Sequence, residues 1–337
     1  MKYIAKNDTI IIDCGFNGEL NIEIISAYTN LIFTDYKLNK ELFKHYANNY
    51  IHYEACSGSV FNHNVSNLPD SITYLIFGYS FNRDVSNLPP TLTHLIFGYS
   101  FNRDVSELPP SLTHLIFGHA FNRDVSELPP SLTRLTFGWS FNQDVLSLPN
   151  SLTHLTFGDN FNQDVSELPP ILTYLALGDD FDQDVSALPH TLIHLIFGHS
   201  FNRDISKLPQ GITYLTLGYN FNQQCDIPTN IKYLKLNCNN QYIIDNLPNS
   251  IVELELKYHF NLQIDNLPTS IKKLVISKDS NYNVDLNCLP DFVEELHLNR
   301  YYKKRILQIP SNLKKLICHH DYPYKNDFVS SDIETYL

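Results

Sequence analysis

Residues 101–120 read FNRDVSELPPSLTHLIFGHA, and residues 121–138 continue FNRDVSELPPSLTRLTFG. The chain repeats itself, and the step of that repeat decides the fold. Phe recurs at positions 61, 81, 101, 121, 141, 161, 181, 201 and 221, a step of 20 residues. Asn follows it each time except once, where Asp182 stands instead. Gly recurs at 78, 98, 118, 138, 158, 178, 198 and 218, and Leu-Pro recurs in the same step from Leu68-Pro69 to Leu208-Pro209. Beyond that the copies drift, through Ile227-Pro228, Leu247-Pro248, Leu267-Pro268, Leu289-Pro290 and Ile309-Pro310.

Within one copy, Leu115 and Phe117 stand two apart, so a short strand places both on one face and His114 and Ile116 on the other. Gly118 closes the strand, as a tight corner or a residue at positive φ. Phe121, Val125 and Leu128 then turn inward along a return that Pro129 and Pro130 keep extended and non-helical. One such coil buries too few side chains to offset the ordering of its backbone. Stacked on its copies it shares their core, and only the stack is stable. The expected architecture is therefore a repeat solenoid, mostly β. A right-handed, leucine-rich-repeat-like coil carries a parallel strand ladder on one face and extended, non-helical returns on the other. Thirteen rungs at strand spacing give a ladder of roughly 60 Å.

The segment LPPSLTHLIFGHAFNRD at 108–124 closely resembles the hallmark of FNIP-repeat proteins, a leucine-rich-repeat-like family of amoebae and of the giant viruses that infect them. The likeness is strong over residues 61–223 and weaker over 224–318. Where the family carries Pro after Phe-Asn-x, this chain carries Asp, as at Asp104 and Asp124. Many relatives of this kind bear an N-terminal F-box, which recruits a ubiquitin-ligase scaffold. Its Leu-Pro-x-Glu opening and amphipathic helices are absent from residues 1–55. A ligase substrate-recognition arm is thus the weaker alternative to a plain interaction scaffold.

Four segments are expected: an N-terminal cap with degenerate coils over 1–55, regular repeats over 56–223, degenerate repeats over 224–320 and a C-terminal tail over 321–337. In the cap, TIIIDCGFNGELN at 9–21 and NLIFTDY at 30–36 read as worn coils, with Phe16-Asn17 echoing the hallmark. NKELFKHYANNYIHYE at 39–54 reads as a short helix over the end of the core.

The chain has 337 residues and a formal net charge of −12, against the basic stripe of a nucleic-acid surface. No apolar run is long enough to span a membrane. Six Cys lie scattered without a C-x-x-C, which suits reduced thiols. The expected compartment is the cytoplasm, that of the host cell if the chain is viral. No phosphate loop, nucleophile elbow or H-E-x-x-H occurs, and a surface of repeated columns offers no unique constellation for catalysis. The expected protein is non-catalytic and without cofactor.

Function in such a coil is sought column by column. The Asn column reads as a structural amide ladder. The Asp column at 84, 104, 124, 144, 164, 184 and 204 reads as turn-capping carboxylates, their repulsion offset by Arg83, Arg103, Arg123 and Arg203. The strand face carries Tyr74, His94, His114, Arg134, His154, Tyr174, His194 and Tyr214, with Trp139, Asp159 and Asp179 in a column just beyond the Gly. These residue types make interface hot spots, so this face is the candidate partner-binding surface. His94 and His114 fall on adjacent rungs, but no spaced third and fourth ligand accompanies them, and no metal site is assigned. The basic run from Arg300 to Lys315 reads as a solvated face.

Overall fold

The computed structural model describes residues 1–35, 58–329 and 331–336. The chain divides into two units, Met1–Leu172 and Thr173–Leu337. The helix expected over 39–54, and Cys56, lie outside the described residues.

The first unit opens on two strands, β1 (Tyr3–Lys6) and β2 (Thr9–Ile12), paired antiparallel. Asn7 turns between them at φ 53°, a left-handed geometry that Asn tolerates. A one-turn helix, α1 (Ile22–Ile25), follows, with Asn21 accepting from the Ile24 N–H at 3.2 Å as its N-cap. Then come β3 (Asn30–Phe33), β4 (Tyr74–Ile76), β5 (His94–Ile96), β6 (His114–Ile116), β7 (Arg134–Thr136) and β8 (His154–Thr156). From β2 to β8 each strand pairs in parallel with the next. Both worn coils read in the cap are thus rungs of this ladder. The antiparallel β1 carries no repeat signature and is seen only in space.

The second unit runs through β9 (Tyr174–Ala176), β10 (His194–Ile196), β11 (Tyr214–Leu217), β12 (Tyr233–Leu236), β13 (Glu253–Leu256), β14 (Lys273–Ile276), β15 (Glu295–His297), β16 (Lys315–His319) and β17 (Asp332–Tyr336). All successive pairs are parallel. A second short helix, α2 (Gln241–Asp245), occupies one return. Among the described residues, returns are therefore extended save at α1, α2 and a 3-10 turn at Lys325–Asp327. The polar segment after residue 321 contributes β17, one more rung.

The core follows from the two-residue alternation. Leu115 and Phe117 are fully buried, while His114 and Ile116 are half-buried. Phe117 stacks on Phe121 of the same coil at 3.7 Å between centroids, and Phe121 stacks on Phe101 and Phe141 at 6.1 Å. Each regular rung of the first unit so adds two rings to a continuous aromatic slab. Phe16 joins it, 6.1 Å from Phe61.

The glycines serve the corner through space rather than through an unusual backbone angle, since no described Gly has positive φ. A Cβ on Gly138 would lie 2.1 Å from the Gly118 carbonyl oxygen, so only Gly lets successive corners nest. The Asn column bonds the coils at the next corner. Asn102 Oδ1 accepts from the Asn122 N–H at 3.1 Å, Asn122 Oδ1 from the Asn142 N–H at 2.9 Å, and the column begins at Asn17, which accepts from the Asn62 N–H at 3.1 Å.

Candidate functional site

The outer face of the first unit is built in columns by the parallel register, Tyr74↔His94↔His114↔Arg134↔His154. Period two turns these side chains away from the core, and the rung spacing stacks them. Tyr74 and His94 meet at 5.4 Å between ring centroids, and His94 and His114 stack at 4.2 Å with planes 15° apart. Burial pushes the Tyr74 phenol up and the His94 imidazole down. His114 is pushed down to about 4, first by burial and then by the charges of His94 and Arg134.

Beyond the Gly corner runs a second stack, Tyr79–Tyr99–His119–Trp139, with centroids 4.7, 4.4 and 4.7 Å apart. Tyr99 is 38% exposed and Trp139 46% exposed, and Asp159 takes the place of the ring on the next rung. The sequence shows the residues of this column but not that their rings stack.

One set of partners escaped the sequence reading. The Thr before His94, His114 and His154 donates its hydroxyl to the carbonyl one coil back: Thr93 to Thr73 at 3.0 Å, Thr113 to Thr93 at 3.1 Å and Thr153 to Thr133 at 3.1 Å. Each of these oxygens also lies 2.9–3.0 Å from the Nδ1 of the following His. The signal is the dipeptide Thr-His recurring in step, legible only once the strand ladder is known.

In the second unit, Tyr174 lies 6.0 Å from His194, which stacks on Tyr214 at 3.9 Å, and Tyr214 on Tyr233 at 4.1 Å. Asp179 takes the His199 Nδ1 at 2.6 Å. Further along, the face turns to ion pairs, Lys235–Glu255 at 2.8 Å and Lys273–Glu253 at 3.5 Å. The basic run is neutralised in part by Lys304–Asp285, Arg305–Asp327, Lys314–Glu294 and Lys315–Glu334 pairs of 2.7–3.2 Å.

On the return side, each Asp closes its own turn. Asp104 accepts from the Ser106 N–H at 3.1 Å and hydroxyl at 2.9 Å, and Asp124 does the same with Ser126 at 3.1 and 2.8 Å. These bonds hold both carboxyls below the usual range. The arginines do something other than offset that charge. Arg83, Arg103 and Arg123 each donate Nε to the Asn carbonyl of the preceding coil, at 2.8–3.3 Å, while Arg203 bonds the carbonyl and the carboxylate of Asp182. Arginines 83, 103 and 123 and aspartates 84, 104 and 124 line an open groove of about 950 Å³. Among the described residues, one group of three potential metal ligands occurs, His319, His320 and Asp321.

The FNIP Repeat family model matches nine segments, 61–100, 84–120, 124–160, 144–167, 161–200, 201–239, 223–259, 239–279 and 281–321. The chain is an FNIP-repeat protein. No curated protein matches it. Among solved structures, CroV588, a giant-virus protein described as a novel circular LRR protein structure, matches with TM-score 0.70 and 33% identity over 95% of this chain and 48% of its own. This FNIP-repeat chain thus spans about half the length of that relative. The functional domain of InlJ from Listeria monocytogenes follows at TM-score 0.47 and 16% identity, over 92% of this chain and 68% of its own. YopM from Yersinia enterocolitica follows at TM-score 0.40 and 21% identity, over 77% and 72%. In this FNIP-repeat protein the Asp two residues after the column Asn, as at Asp104 and Asp124, is the residue that caps the Ser turn. Among the described residues, no helix is long and apolar enough to cross a membrane.

Proposed function

We propose that this FNIP-repeat chain is a non-catalytic scaffold that binds a partner protein on the outer strand face of its first unit. The observation that carries the reading is the Tyr79–Tyr99–His119–Trp139 stack. It is a run of rings left half in water, beside the Tyr74, His94, His114, Arg134 and His154 column. Exposed aromatic rings held rigid by their neighbours lose little entropy on binding, and Tyr, Trp and Arg dominate hot spots. Leucine-rich-repeat-like scaffolds generally bind proteins, which supports the same reading. The second unit offers its own face, with Tyr174, His194 and Tyr214 in one column and Asp179 beyond the corner.

The test is affinity capture from the cells that express the chain, comparing wild type with Tyr99→Ala/Trp139→Ala. Both residues are exposed enough for the variant to fold, which circular dichroism checks. A protein captured by wild type and lost from the folded variant supports the face as the site. Identical capture by both baits removes it.

A further inference from the structure

β1 pairs with β2 on one side and β17 with β16, and the opposite edges stand in solvent: Tyr3, Ala5 and Lys6 are exposed, as are Asp332, Ile333, Glu334 and Thr335. The hydrogen bonds say which backbone groups point outward. Asp13 donates its N–H to the Lys2 carbonyl at 3.0 Å, so antiparallel alternation commits Lys2, Ile4 and Lys6 to β2 and turns the N–H and C=O of Tyr3 and Ala5 outward. Asp332 donates its N–H to the Lys314 carbonyl at 2.7 Å, and the Tyr336 carbonyl accepts from the His320 N–H at 2.9 Å. Asp332, Glu334 and Tyr336 therefore face β16, and Ile333 and Thr335 turn their backbone groups outward. The side chains of these four outward residues lie on the core side. Ala5 stands across from Ile10 and Tyr3 from Ile12, while Ile333 stands across from Leu316 and Thr335 from Cys318, all four partners being fully buried. The core thus runs to both edges and is left uncovered there, with Tyr3 38% and Ile333 42% exposed. A solenoid end needs a polar cap, and neither edge has one on its core side.

We propose that β1 of one copy adds antiparallel to β17 of a second copy, so that the ladder continues head to tail from chain to chain. An open edge is a template for another strand, and the main-chain bonds supply the affinity. With the buried sides kept on one face, β1, which runs against the ladder, meets β17 antiparallel. One register then brings all the outward groups together, Tyr3 with Thr335 and Ala5 with Ile333. In it the core-side residues of both edges cover one another. On the other face the same register sets Lys6 opposite Asp332, both exposed. Charge selects a second copy in this orientation. The β1 end carries Lys2 and Lys6, and β17 carries Asp332 and Glu334, of which Glu334 is already held by Lys315 at 2.8 Å. Pairing two like ends would face lysine with lysine or carboxylate with carboxylate, which is unfavourable. The contact is therefore heterologous, one surface of each copy meeting the other surface of the next. It uses the ends of the ladder and none of the Tyr79–Trp139 rings, so it stands independently of any protein partner on the strand face.

The experiment is analytical ultracentrifugation of the full chain over a concentration series, with circular dichroism to check that each variant folds. Wild type should self-associate with rising concentration. Thr335→Pro removes an outward N–H and no bond to β16, and should weaken association about tenfold or more. Lys6→Glu and Asp332→Lys should each weaken it about tenfold, and the double variant Lys6→Glu/Asp332→Lys, which restores opposite charge across the junction, should return it to within about twofold of wild type. Trp139→Ala should leave it unchanged. The proposal is overturned if wild type sediments as a monomer at submillimolar concentration, if folded Thr335→Pro associates as wild type does, if the double variant is no tighter than the weaker single one, or if Trp139→Ala alone removes association.

Discussion

Gly118 lies so close to Gly98 that a Cβ built on it would stand 1.9 Å from the Gly98 carbonyl oxygen and 2.4 Å from its carbon. Both obstructing atoms are backbone of the preceding coil, so neither can swing aside. Gly118→Ala should therefore destabilise the first unit by about 3 kcal/mol or more through forced separation of two rungs. Gly18→Ala is the matched control, because a Cβ there meets only the Phe16 ring at 3.6 Å. Urea midpoints read the comparison, and equal midpoints for the two variants would show that the corners do not nest as described.

The Asn ladder makes a sharper demand on one atom. Asn122 Oδ1 accepts from the Asn142 N–H and from Gln143 Nε2, both at 2.9 Å. Asp182 does the same work with a carboxylate, accepting from the Asn202 N–H at 2.9 Å. The acceptor is what the corner needs. Asn122→Ala should cost about 1–3 kcal/mol by leaving a part-buried N–H unpaired, and Asn122→Asp should cost much less. Equal losses would mean that the amide's own N–H₂ matters instead.

Turn capping by Asp predicts a pH dependence of known sign. The hydroxyl and then the N–H of Ser126 favour the Asp124 carboxylate and depress its folded-state value, with the same pair acting at Asp104 in the other order. A depressed value gives stability that is complete above the unfolded value, about 3.9, and is lost as pH falls through the lower folded one. The chain should weaken from about pH 4 downward. Asp104→Asn/Asp124→Asn should show a shallower acid limb in urea midpoints measured against pH. An unchanged limb would place acid sensitivity elsewhere.

Tyr282 tests the worn half of the repeat. Its side chain replaces the column Phe, is fully buried, and its hydroxyl has no hydrogen-bond partner among the described residues. Burial holds that phenol well above its ordinary value. Tyr282→Phe removes an unsatisfied polar group without changing shape, so it should be neutral or stabilise by about 1 kcal/mol. Destabilisation in thermal or urea unfolding would instead reveal a buried water bonded to the hydroxyl.

Much of the architecture is legible at the level of one coil. Leu115 and Phe117 two apart, Gly118 after them and Pro129-Pro130 on the return state strand, corner and extended path. The fixed step then places Asn122 beside Asn102, and His114 beside His94. The reading weakens where the period breaks. Tyr3–Lys6 and Asp332–Tyr336 match no template, yet both pair as edge strands, because an exposed ladder edge accepts any extended backbone in reach. The arginines misled for a related reason: adjacency in sequence suggested Arg103 with Asp104, whereas Arg103 bonds the Asn82 carbonyl one coil back.

The coil, its inward faces and its stacked columns follow from the repeat pattern alone, because residues 20 apart in a regular array fall on adjacent rungs. What joins one coil to the next is set in three dimensions. Gly118 is required by the backbone of Gly98 rather than by its own φ, and the Thr113 hydroxyl reaches the carbonyl of Thr93 one coil back. Both are contacts across coils, where the deciding atom is 20 or so residues away and belongs to the backbone, which every residue type shares and no sequence pattern marks.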